Sequence, residues 1–217
     1  MVEVRIAPDA LPPWGVALGS TLAALLTRSV AMGVLAGKPV TRLDAATVRR
    51  LAAALQRHGI GANAGLILEP LVAEPARQID AATERRLAEG LGLLNEALEA
   101  SATPSTEWPA MRAVFDDEAL IQLLGVGASS LRRYAGGERA TPDDVAARLH
   151  WLAMVVAHLA GAYNDFGIRR WFERPRSQLD GKSPRQTLGP AWSPDDAAAA
   201  RVRTLASVLS GAQPLAA

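Results

Sequence analysis

DDEALIQLLGVGASSLRRYAGGER, residues Asp116 to Arg139, is the stretch whose reading decides the fold. Phe115 and Asp116 read as a hydrophobic staple beside an N-cap, so a helix is predicted from there to about Gly125. Gly125 and Gly127 bracket a tight turn, a short helix follows over about Ala128 to Ala135, and Gly136 with Gly137 ends it. Two short helices joined by a compact turn make a helix-turn-helix, which presents the second helix to the major groove of DNA. On that helix Leu131 is expected to pack inward, with Ser129, Ser130, Arg132, Arg133 and Tyr134 pointing outward. Hydroxyls and guanidinium forks suit phosphate oxygens and base edges, so these five residues and Arg139 are the candidate DNA contacts. An ordinary helix hairpin with a solvated face has the same pattern, and the residues alone leave both readings open.

Outward from this stretch, a second start signal occurs twice. Thr141-Pro142-Asp143-Asp144 and Ser193-Pro194-Asp195-Asp196 each offer a hydroxyl cap, a proline at the first helical position and acids near the positive end of the dipole. Those acids need no catalytic role. The first predicts a long helix to about Tyr163, with Val145, Leu149, Leu152, Val156 and Leu159 on one face, and the second a last helix to about Leu209. Upstream, helices are predicted over about Ser20 to Leu35, Asp44 to His58 and Asp80 to Ala100. Val2, Val4 and Ile6 alternate with Glu3 and Arg5 as in a short strand, ended by Pro8, Pro12 and Pro13. Leu66 to Val72, interrupted by Pro70, reads either as a strand or as a loop lining the core, and Ser101 to Pro109 reads as a linker or boundary. The expected fold is mainly α: a helical region over residues 1–105, a helix-turn-helix region with its long following helix over 109–163, and a small helical module over 164–217.

Composition narrows the function classes. At 217 residues, with 49% hydrophobic and 21% charged residues, the chain can bury a core and belongs among soluble globular proteins. The absence of cysteine excludes a disulfide framework and thiolate metal or redox chemistry. Net charge is only +1, yet the cations are almost all arginine, the lysines being Lys38 and Lys182. Arginine is the better fork for phosphate and guanine, although a GC-rich genome produces the same excess. Val16 to Ala36 is apolar enough to consider as a membrane span, but Arg28 near its centre costs about 2.5–3.5 kcal/mol on insertion. Glu3, Arg5 and Asp9 also fail as a secretory leader, so the expectation is a buried helix in a cytoplasmic protein with no membrane partner. The stretch Gly125 to Ser130 lacks the third glycine of a phosphate loop and follows a helix rather than a strand. His150 and His158 are eight residues apart on one predicted helix, about 12 Å at 1.5 Å per residue, too far to share a metal. His58 stands alone. No catalytic residue, metal or cofactor is expected.

Leu120-Ile121-Gln122-Leu123-Leu124-Gly125-Val126, Ser129-Ser130-Leu131-Arg132-Arg133-Tyr134, Gly137 and Arg139 resemble the helix-turn-helix of the Xre/MbcA/ParS antitoxins. Downstream, Phe166-Gly167, Arg170-Trp171-Phe172, Pro175, Leu179, Gly181 and Pro184-Arg185-Gln186-Thr187-Leu188 are similar to that family's C-terminal toxin-binding segment. There a Trp-Leu pair precedes a proline, a Leu-x-Gly turn and a proline-led short helix. Val202, Leu205, Leu209 and Gly211 occupy the place of the closing helix, so the resemblance covers about Met111 to Gln213. Phe172 stands where the family has leucine and Arg176 where it often has asparagine, and residues 1–109 have no counterpart in its short members. The resemblance implies a non-enzymatic, homodimeric antitoxin that represses its own operon at promoter DNA and blocks a RES-type toxin, an enzyme that consumes NAD. It implies toxin contacts at Arg170, Trp171, Phe172, Arg174, Pro175, Leu179, Gly181, Lys182 and Pro184. Adjacent aromatics among Arg169, Arg170, Arg174 and Arg176 also have the composition of a binding hot spot, the alternative being a core tryptophan with a solvated arginine rim. Two rival functions are a stand-alone regulator whose N-terminal half senses a ligand, and an interaction module that has lost DNA binding.

Overall fold

In the computed structural model the chain divides between Ala102 and Thr103 into two compact units. The structure describes residues 4, 16–37, 39–73 and 80–209. Among them are eleven α-helices and one isolated parallel bridge, Val4 to Val40. The rest of the expected N-terminal strand lies outside the described residues.

The N-terminal unit holds α1 (Val16–Ala31), α2 (Ala45–Arg57), α3 (Ala64–Ala73) and α4 (Ala81–Glu99), with α1 packed on α4, α2 on α3, and α3 on α4. Leu18, Leu22, Leu25 and Leu26 recur at helical spacing and are buried. Arg28, the residue that argued against a membrane span, bonds Asn95 Oδ1 at 2.9 Å and Glu99 Oε1 at 3.1 Å on α4. Asp44 and Asp80 cap α2 and α4, their carboxylates accepting from the backbone N–H of Thr47 and of Ala82 and Thr83. Leu66 to Val72 is neither strand nor loop but most of α3. Ala64, Leu68 and Leu71 put a buried stripe at helical spacing, and Pro70, which has no N–H to give the helix, falls on the exposed side. Gly90 lets α4 approach this helix: a Cβ there would meet Ile67 Cγ2 at 2.6 Å.

The C-terminal unit contains α5 (Pro104–Val114), α6 (Asp117–Leu124), α7 (Ala128–Ala135), α8 (Asp143–Ala160), α9 (Asp165–Glu173), α10 (Pro184–Leu188) and α11 (Ala197–Leu209). Its core is built on α8, buried continuously from Trp151 to Leu159 and packed against α5, α6, α9 and α11. Those shared contacts join the described residues 103–209 into one compact unit. The stretch Ser101 to Pro109, expected to hold a linker or boundary, does hold the division between the units, but most of it is α5 rather than a linker: Pro104 takes the first helical position, where its fixed φ suits a helix, and Glu107, Trp108, Met111 and Val114 are buried.

Both serine/threonine-proline start signals work differently from expectation. Pro142, not Thr141, is the N-cap of α8, and the Thr141 hydroxyl accepts instead from Trp108 Nε1 at 3.0 Å. Before α11, Ser193-Pro194-Asp195-Asp196 forms a turn closed by Ser193 N–H on the Asp196 carboxylate at 2.7 Å, and the helix opens only at Ala197. No single helix among the described residues is long and apolar enough to cross a membrane; α8 and α9 pass that test only jointly and are bent by 115°.

Candidate functional site

The Asp116 side chain accepts from Ala119 N–H at 2.8 Å and starts α6, as its sequence position requires. Arg112 grips Asp117 with two hydrogen bonds, Nε to Oδ1 at 2.9 Å and Nη2 to Oδ2 at 3.1 Å. The helix ends at Gly125 in the left-handed region, φ +65°, with Val126 N–H on Ile121 O at 3.2 Å. Only glycine fits, for a second reason as well: an added Cβ would overlap the Pro190 carbonyl oxygen. Two residues on, Trp192 donates its indole N–H to Leu123 O at 2.7 Å and packs edge-on to Trp151 with ring centroids 4.6 Å apart. A segment from beyond α10 thus fastens the end of α6 to α8. This contact has no local signature, which is why the sequence did not disclose it.

Gly127 caps α7, its carbonyl accepting from Leu131 N–H at 2.9 Å, and Gly137 at φ +73° closes the far end. Ser129, Arg132, Arg133 and Arg139 are exposed and Ser130 is half-buried, while Leu131 packs inside. Tyr134 is a correction. Expected to point outward, it is 8% exposed, because it follows Leu131 by three residues and shares its face. Its ring stacks on Trp108 of α5, centroids 6.4 Å apart, and carries the Arg139 guanidinium 5.8 Å from its centre. Arg133 is held along the helix by its Nη2 bond to Ser129 Oγ at 2.9 Å. Neither Arg132 nor Arg139 has an ion-pair partner among the described residues. The exposed face of α7 is therefore cationic and hydroxyl-bearing, with no acid in its first turn to offset it.

The other candidate surface divides differently. Asn164 caps α9 by accepting from Gly167 N–H at 2.9 Å. Trp171 and Phe172, one turn later, are each 1% exposed and pack edge to face, with Phe172 also reaching Phe115 at 5.5 Å between centroids. Leu179 and Pro184 are buried as well. Four of the nine residues expected to meet a partner are thus core, whereas Arg170, Arg174, Pro175, Gly181 and Lys182 are exposed. Arg176 lies over Trp171 at 4.9 Å, and the desolvation of that position holds its guanidinium below its ordinary pKa. The turn to α10 is closed by Arg176 N–H on Lys182 O and Gly181 N–H on Arg176 O, both 3.0 Å. A capping box between Ser183 and Gln186 starts α10.

Sequence reasoning passed over Phe166 as a contact. It is 59% exposed with the Arg170 guanidinium 5.7 Å from its ring centre. The signal was present as a 166, 170 spacing, one face of a helix, but nothing in the order of residues says which face is bare.

His150 serves the core: its Nδ1 lies 2.6 Å from Oε1 of Glu107, a carboxylate with no exposed surface. Among the described residues no three His, Asp or Glu side chains are placed to hold a metal ion. No family model, curated protein or solved structure matches the chain.

Proposed function

We propose that this protein is a cytoplasmic DNA-binding regulator in which α7 is the recognition helix, and that it acts as the antitoxin of a RES-type toxin. The observation that carries the DNA reading is the division of α7, with Leu131 and Tyr134 buried and Ser129, Arg132 and Arg133 exposed on a short helix that follows a three-residue turn, and Arg139 exposed in the loop just beyond it. A guanidinium and hydroxyl face of that kind reads phosphates and base edges, and the two anchors keep its orientation fixed. A homodimer would place two such helices on successive turns of one groove.

The toxin reading rests on the family resemblance and on the bare surface of α9 and its following turn. Phe166, Arg170, Arg174 and Lys182 offer an aromatic among cations, the composition favoured at hot spots, and the buried Trp171 and Phe172 support it from beneath. The toxin does the chemistry, and the antitoxin needs no catalytic group of its own.

The test is co-expression with the product of the neighbouring gene, followed by a gel-shift on the shared promoter at fixed salt. A purified complex that shifts the promoter, and loses the shift on Arg132→Ala with Arg133→Ala, supports the proposal. Promoter binding without a protein partner replaces it with a stand-alone regulator. Complex formation without DNA binding leaves an interaction module.

A further inference from the structure

Charge is not spread evenly over the N-terminal unit. Helix α2 carries Arg49, Arg50 and Arg57 and no acid, whereas α4 sets Glu84, Glu89, Glu96 and Glu99 beside Arg85 and Arg86. A codon preference for arginine accounts for the cations of both helices but not for the absence of acids from α2. At about 100° per residue, Ala46, Arg49, Arg50, Ala53 and Arg57 fall within an arc of about 100°. That arc lies opposite the buried stripe of Thr47, Val48, Leu51, Ala54 and Leu55; Arg50 is half-buried in it and the other four residues are exposed. Arg49 and Arg57 have no ion-pair partner among the described residues. Asp44, the acid nearest to them in sequence, is committed to the cap of α2, where it accepts from Thr47 N–H at 2.8 Å. The helix dipole favours a cation in the last turn, where Arg57 stands, but offers nothing to Arg49 and Arg50 in the second turn.

We propose that this face of α2 is a second DNA contact, one that binds the phosphate backbone of the duplex. What the face lacks selects the partner. No large apolar side chain stands between the arginines, so the helix has nothing to insert below the headgroups of a membrane. The helix carries no aromatic either, and so offers neither an anchor for a protein partner nor a platform on which single-stranded bases stack. Ala46 and Ala53 keep the surface low between the guanidinium groups, and a regular polyanion can lie across it. Arg49 and Arg57 are eight residues apart, about 12 Å along the helix axis. A duplex carries a charge about every 1.7 Å, so the two arginines meet separate phosphates. Contacts of this kind add affinity and fix position but read no sequence. The choice of DNA over RNA rests on the reading of α7; the cationic face itself does not.

The experiment follows the anisotropy of a labelled random-sequence DNA duplex titrated with the full-length protein over a series of salt concentrations. The same single strand and vesicles of anionic phospholipid serve as alternative ligands. The duplex is expected to bind more tightly than the strand, with no binding to vesicles. Arg49→Ala with Arg57→Ala, both at exposed positions, should leave the melting temperature unchanged and lower the slope of log affinity against log salt by about two, near one per arginine. Arg49→Lys with Arg57→Lys keeps the charges and should keep the slope. Ala53→Glu, which sets an acid on the same exposed face, should weaken the duplex. No duplex binding by the parent protein, an unchanged slope in the alanine pair, unchanged affinity in Ala53→Glu, or a strand or vesicle bound as tightly as the duplex would overturn the proposal. Arg132→Ala with Arg133→Ala is titrated in parallel. A slope that falls there and not in the α2 pair removes the α2 contact alone; the reverse leaves the α2 contact standing and removes the reading of α7.

Discussion

The two candidate surfaces of the C-terminal unit are built in opposite ways. On α7 and in the loop that follows it the residues that draw the eye in sequence, Ser129, Arg132, Arg133 and Arg139, are the ones solvent meets, and Leu131 and Tyr134 hold the helix down. Along α9 and the turn after it, the conspicuous residues Trp171, Phe172, Leu179 and Pro184 are core, and the surface above them consists of Phe166, Arg170, Arg174 and Lys182. The same spacing of recognisable side chains thus marks a contact face in one place and a scaffold in the other. What separates them is the size and polarity of the marked residues: bulky apolar groups beside α8 gain more by burial than by display.

The largest expected effect tests that division directly. Trp171→Ala or Phe172→Ala should destabilise folding by about 3–5 kcal/mol in urea denaturation, the cost of emptying a packed aromatic site. Loss of partner binding at unchanged stability would instead make these residues contacts and erase the contrast. On the other side of the comparison, Arg132→Ala or Arg133→Ala should leave stability within about 0.5 kcal/mol, while each removes about 1–3 kcal/mol of promoter affinity where it reads a base. Gly125→Ala bears on the joint between α6 and α7. Its positive φ and the overlap with Pro190 predict a loss of about 1–3 kcal/mol by thermal melting, whereas an unchanged melting temperature would mean that the turn readjusts freely. Phe166→Ala should sharpen the α9 surface, with no measurable change in melting and a weaker complex by titration calorimetry.

The smallest effect lies in the N-terminal unit. The backbone N–H of Thr47 donates to Asp44 and holds its carboxyl below the ordinary value of 3.8. A depressed folded-state pKa means that its stabilisation is present above the unfolded pKa and is lost as pH falls through the folded one. Acid titration of Asp44→Asn, which keeps the capping oxygen, should therefore show a slightly shallower loss of stability below about pH 4 than the parent. An identical acid limb would show that this cap carries no pH dependence.

Local rules carried much of the fold. Asp44, Asp80 and Asp116 start helices where their side chains satisfy free backbone N–H groups, and Gly125, Gly136 and Gly137 end helices where the chain must turn. The same rules misread α3 and α5, because proline speaks against a helix locally and says nothing of the buried stripe that outweighs it. They misread Thr141 too, whose hydroxyl is claimed by a tryptophan 33 residues away.

The sequence by itself determined that the chain is mainly helical, where most helices begin and end, and that a short helix rich in arginine and serine follows a glycine turn. Caps, turns and apolar periodicity act over a few residues and are written in neighbours. Only the tertiary structure decided that Tyr134 is an anchor, that Trp171 and Phe172 are core while Phe166 is bare, and that the Trp192 indole fastens α6. Those outcomes depend on which surfaces meet across tens of residues, and burial is a property of the packed whole that no single segment carries.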